Sequence, residues 1–133
     1  MIPTIVPFYA AVLGLIFIVL SARVVVARRQ FRVRLGSGGH EHLERRIRVQ
    51  GNFAEYVPLT IILLTFLELY GAATWLIHVL CIGLVAGRCL HAYCVGRTDE
   101  DIRQRRAAMI LTFGALFVAA TGVAIYSVLR LFG

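Results

Sequence analysis

A chain of 133 residues with 59% hydrophobic content is too apolar for an ordinary soluble domain, so a membrane protein is the first reading. The formal charge of +7 raises nucleic acid as a partner, but no nucleic-acid motif accompanies the arginines, which flank apolar runs instead. Interfacial anchoring and anionic headgroups account for them better.

A spanning helix needs roughly 20 apolar residues. Four segments meet or approach that length: about Pro7 to Ala27, Glu44 to Tyr70, Ala72 to Val95 and Ile102 to Leu131. They leave almost nothing for a separate soluble domain, so the expected fold is all-α, one integral membrane four-helix bundle covering 1–133. No basic residue precedes the first segment and no small-x-small site follows Leu20, which reads as a retained helix rather than a signal peptide.

All fourteen basic side chains are arginine, and eight lie between Arg23 and Arg48. The first connection, "RLGSGGHEH" (Arg34 to His42), is a glycine-rich loop whose histidines lack the i, i+4 spacing of a helical zinc pair, and no metal is expected. The third, "GRTDEDIRQRR", holds Arg97, Arg103, Arg105 and Arg106, whereas the short "LYGAAT" turn has no basic residue. The positive-inside rule places the first and third connections in the cytoplasm and both termini outside. Thr98 or Asp99 is expected to cap the fourth helix.

The second segment opens with "ERRIRVQGNFAEYVPL" (Glu44 to Leu59), a charged block at the start of an apolar run. Arg45, Arg48, Asn52, Glu55 and Tyr56 fall at helical spacing on one stripe. Snorkelling suits Arg45 and Arg46, but Asn52 and Glu55 are too short to reach water, and intramembrane ionisable groups usually face a bundle interior. Pro58 removes an N–H from this helix beside Glu55 and Tyr56. The third segment repeats the theme in "GRCLHAY", where Arg88 and His91 share a face and Glu55 is the candidate partner for Arg88 across the bundle. His78 stands alone and receives no role. Cys81, Cys89 and Cys94 match no zinc or redox spacing and read as small buried hydrophobes.

Forked arginine donors, an amide and a carboxylate together suit a ligand with carboxylates and an amine, and glutathione is such a ligand. A small transporter lined by Arg48, Glu55 and Arg88, and a structural or regulatory subunit using its arginines only as anchors, are the alternatives.

The motifs "ARRQFRV", "ERRIRVQGNFAEYVPL", "GRCLHAY" and "RRAAMILT" together resemble the MAPEG superfamily, membrane-associated proteins in eicosanoid and glutathione metabolism. The resemblance is to a bacterial-type member similar to microsomal glutathione transferases, and it spans nearly the whole chain. It implies a homotrimer with glutathione, as co-substrate, bound between subunits, and a glutathione transferase or peroxidase acting on a hydrophobic small molecule from the bilayer. A bacterial inner-membrane location is expected, and the positive-inside rule then has the site facing the cytoplasm. By the same resemblance Arg48, Asn52, Glu55 and Tyr56 hold glutathione, with Arg88 and His91 on the third helix and Arg29 near the reacting end. Arg105, or its neighbour Arg106, faces the sulfur. The chain departs from the family pattern where it has His91 and Val95 in place of an aromatic, and in the extra residues around "TDED".

Overall fold

The computed structural model describes residues 2–132, which form α1 (Ile5–Phe31), α2 (Glu41–Leu69), α3 (Thr74–Val95) and α4 (Ile102–Phe132). All four are long and apolar enough to cross a membrane. Two helices begin or end well outside their hydrophobic runs. α1 continues past Ala27 because Arg28 and Arg29 are good helix formers that complement the negative end of the helix dipole. α2 starts at Glu41, three residues ahead of the expected Glu44, because Glu41 and Glu44 suit the positive end in its first turn. It then runs without interruption through Pro58.

The helices are not arranged as a square. α2 and α3 pack on each other, and α1 and α4 each pack on both of them without touching one another. The core is filled by Leu13 and Leu20 of α1, Phe53, Val57 and Leu64 of α2, and Ile77, Cys81 and Leu84 of α3. The buried residues α4 contributes to it are Ala115 and Ala119, small side chains that let it lie close against its neighbours, with partly buried Val123 and Tyr126 packed against the core. The outer faces of α1 and α4 expose Leu15, Ile18, Phe117 and Ile125, as a surface solvated by lipid chains requires.

The two ends of the molecule are chemically distinct. At one end the start of α1, the α2–α3 turn and the end of α4 meet. Gly71 takes a φ of +84° in that turn, a backbone conformation costly for any other residue. Beside it the Tyr70 hydroxyl lies 3.0 Å from Ser127 Oγ, and the Arg130 guanidinium sits over the Tyr70 ring. The Glu68 carboxylate accepts backbone N–H bonds from Thr4, Ile5 and Val6 at 2.7, 2.8 and 2.9 Å. Pro7 has no N–H, so this one side chain satisfies the donors that the first turn of α1 leaves unpaired. His78 is not alone, since its Nδ1 lies 2.9 Å from the Tyr9 hydroxyl. The two arginine-rich connections, α1–α2 and α3–α4, lie together at the opposite end, where Arg45 of α2 reaches Val95 and Glu100.

Candidate functional site

The most buried charge in the protein is Arg88, at 1% exposure. Its Nε and Nη2 donate to Thr112 Oγ1 of α4 at 3.0 and 2.6 Å, and its Nη1 donates to Asn52 Oδ1 of α2 at 2.5 Å. Thr112 in turn donates to the Ala108 carbonyl at 3.0 Å. This close approach of α3 and α4 depends on Gly87, where a Cβ would stand 2.9 Å from Thr112 Oγ1 and 3.0 Å from the Ala108 carbonyl oxygen. The sequence offered Glu55 as the partner of Arg88. Within the chain it is not, and among the described residues no carboxylate pairs with Arg88. Neutral acceptors spread the buried charge without cancelling it.

Glu55 instead accepts from Arg48, two turns away on its own helix, at 3.4 Å, with both side chains at least half exposed. An exposed pair of this kind contributes little to stability, which leaves both groups free to exchange partners. The polar stripe of α2 is therefore divided. Asn52 turns inward to Arg88, while Arg48 and Glu55 face outward into a cleft. Tyr56 is half-buried with its ring edge-on to Phe113 of α4.

That cleft, of about 600 Å³, lies at the arginine-rich end between α2, the end of α3 and the start of α4. It is lined by Arg45, Arg48 and Arg105 together with Glu41, Glu44, Glu55 and Glu100, and by Ile47, Gly51 and Val95. Of the residues expected from the sequence it unites Arg48, Glu55 and Arg105. Arg106 is exposed and does not line it, which separates two neighbours that the sequence left open. His91 is buried, one turn beyond Arg88. Arg29 lies elsewhere, in a second concavity with Arg28, Arg32 and Arg34. Nothing in a single chain brings it to the cleft.

Arg45 is not the free interfacial anchor that snorkelling predicts. Its Nε donates to Glu41 at 2.9 Å and its Nη1 to Glu100 at 3.0 Å. Glu100 also accepts from Arg105 Nη1 at 2.8 Å. Burial alone would raise the Glu100 carboxyl, but the hydrogen bonds from Arg105 and Arg45 together hold it below the usual carboxylate range. Next to it, Asp99 takes a two-pronged bond from Arg97, at 2.8 and 2.6 Å, and is likewise held low by that pairing. The cap of α4 is neither Thr98 nor Asp99. Asp101 accepts from the Arg103 backbone N–H at 2.8 Å, because the helix starts at Ile102 and its cap must stand immediately before it.

Sequence reasoning missed Thr112, Glu68 and Glu100. A buried arginine demands acceptors, and Thr112 is a polar residue on the buried face of an otherwise apolar helix, so a signal for it existed. Glu100 gave none, since three consecutive acids ahead of a helix are explained by the dipole alone.

A bundle of four helices able to span a membrane, with a buried arginine inside it and a mixed-charge cleft at one end, defines an integral membrane protein of the all-α class. The chain belongs to the MAPEG family, whose model matches residues 6–125. It is thus of the glutathione- or eicosanoid-related membrane kind. It is 41% identical over 110 residues to "Inner membrane protein YecN" of Escherichia coli strain K12, covering 83% of this chain and 82% of the relative. The protein of the same name from E. coli O6:H1 strain CFT073 matches to the same extent.

Proposed function

We propose that this protein binds glutathione in the cleft and activates its thiol against hydrophobic electrophiles or hydroperoxides that arrive through the bilayer, as a glutathione transferase or peroxidase. The observation that carries this reading is the convergence of Arg48, Glu55 and Arg105 on one cleft from two helices. Glutathione has two carboxylates, one ammonium group and one thiol. Guanidinium groups suit the first, Glu55 the second, and a guanidinium beside the sulfur the third.

In this reading Arg48 takes a glutathione carboxylate and Glu55 takes the ammonium, each leaving its weak pairing with the other. Arg88, held by Asn52 inside the bundle, does not line the cleft but contributes a positive potential that no carboxylate among the described residues pairs with. Arg105 favours the thiolate, because a positive charge a few ångströms from sulfur stabilises the anion over the thiol, whose ordinary pKa is about 8.5. Tyr56 and His91 do not line the cleft of a single chain. The cleft is open, and half-exposed Arg48 and Glu55 on membrane-spanning helices need further cover, which supports a homotrimer with the site at the subunit boundary and Arg29 supplied by the neighbour. The inner membrane is the proposed location. Clustering of both arginine-rich connections at the cleft end supports a cytoplasmic site, and a C-terminal reporter active in the cytoplasm would reverse that orientation.

Glutathione should raise the unfolding temperature of the purified protein in a saturable way, because a ligand that binds only the folded state stabilises it by about 2.7 kcal/mol at a hundred times its Kd. No stabilisation at any concentration would favour a purely structural membrane subunit.

A further inference from the structure

Glu100 holds two guanidinium groups from different helices at once. Its Oε1 accepts from Arg105 of α4 at 2.8 Å, and its Oε2 from Arg45 of α2 at 3.0 Å. The Glu100 side chain is 16% exposed whereas that of Arg105 is 50% exposed, so the carboxylate sits on the inner side of the pair, on the wall of the cleft. Arg45 is aimed there by two further contacts, with Glu41 at 2.9 Å and with the Val95 carbonyl at 3.5 Å.

We propose that Arg45 and Arg105 form an anion subsite of the cleft, and that Glu100 fills it as an internal counter-anion until an anionic group of the ligand takes its place. The proposal rests on the glutathione reading above and deepens it. A carboxylate bridging two guanidinium groups has the geometry that a ligand's own anion would adopt. Glu100 belongs to the non-helical connection between α3 and α4, so it can leave without unwinding a helix. Its departure uncovers two positive charges in a cleft whose other arginine, Arg48, has only a weak exposed partner. Arg45 thereby becomes a ligand-facing residue. The negative charge of Glu100 becomes a threshold that only an anion able to engage both guanidinium groups overcomes, and neutral or cationic molecules leave the subsite closed.

Calorimetric titration of reduced glutathione into the wild-type protein, Glu100→Gln and Glu100→Asp tests this. Glu100→Gln removes the competing charge and is expected to bind glutathione about three- to tenfold more tightly, the scale of one or two partly exposed ion pairs. Glu100→Asp keeps the charge and should stay nearer the wild-type value. Adding Arg45→Gln to Glu100→Gln should abolish the gain. S-methylglutathione, which lacks a thiolate, separates the two anions. A gain shared by both probes means that a ligand carboxylate enters the subsite, and a gain confined to glutathione means that the thiolate does. Equal or weaker binding by Glu100→Gln, with glutathione still bound by the wild-type protein, would show that Glu100 is a clasp rather than a competitor and overturn the proposal alone. If glutathione bound neither protein, the functional reading would fall and the subsite with it.

Discussion

The Arg88 guanidinium donates to the Thr112 hydroxyl through two nitrogens, binding α3 to α4 in the middle of the bundle. Thr112→Val keeps the shape and removes the acceptor. The loss of stability should be about 1.5–3 kcal/mol, the scale of a hydrogen bond to a charged group. Thr112→Ser should restore most of it. Gly87→Ala acts on the same contact from the other side, because the Ala108 backbone cannot yield to the new Cβ, and overpacking of this kind costs about 1–3 kcal/mol. Gly83→Ala is the control, since no atom lies within 4 Å of its Cβ position. Equilibrium unfolding in mild detergent ranks the four variants.

Glu68 supports the far end of the bundle. Glu68→Ala leaves the Thr4, Ile5 and Val6 donors without their acceptor, and the first turn of α1 should fray. Hydrogen exchange at these amides should accelerate at least tenfold, corresponding to about 1.4 kcal/mol of lost protection, with glutathione affinity unchanged because the cleft is at the opposite end. Uniform acceleration across all four helices would instead mean that Glu68 supports the global fold.

The four helices were legible in the sequence because lipid imposes a length, and a run of roughly 20 apolar residues announces itself. Their ends were less legible. Arg28, Arg29 and Glu41 belong to helices by propensity and dipole, although hydropathy assigns them to loops. Helical periodicity placed Asn52, Glu55 and Arg48 on one stripe, but a stripe one side chain wide has an inner and an outer edge. Only the packing of α3 and α4 against α2 decides that Asn52 turns to Arg88 while Glu55 turns out. Partners from distant elements, such as Glu68 with Val6 or Glu100 with Arg45, leave no local pattern at all.

Acid should loosen the α3–α4 connection before it affects the helices. The Asp99 and Glu100 carboxyls both lie below their ordinary values of 3.8 and 4.5. Carboxylates depressed on folding contribute stability that is fully present above their unfolded values and is lost as pH falls through the folded ones. The connection should therefore be unchanged from neutral pH down to about 5 and open progressively below about 4.5. Amide exchange in residues 96–101, corrected for the intrinsic pH dependence, reports this. Opening between pH 7 and 6 would contradict it.

Arg105→Leu should raise the thiol pKa of bound glutathione while leaving affinity within a fewfold, since other side chains hold the rest of the tripeptide. A shift of one unit corresponds to about 1.4 kcal/mol. Ultraviolet absorbance of the thiolate follows the titration. Arg106→Leu should change nothing, because Arg106 does not line the cleft. The reverse pattern would move the activating role to Arg106.

The central claim is that this cleft is a glutathione site, and calorimetric titration of glutathione into the purified wild-type protein, Arg48→Ala and Glu55→Ala tests it most directly. The account expects saturable binding by the wild-type protein, weakened in each variant by about 1.5–3 kcal/mol, roughly ten- to a hundredfold in Kd. Binding that both variants leave intact, or no saturable binding by the wild-type protein, would contradict it.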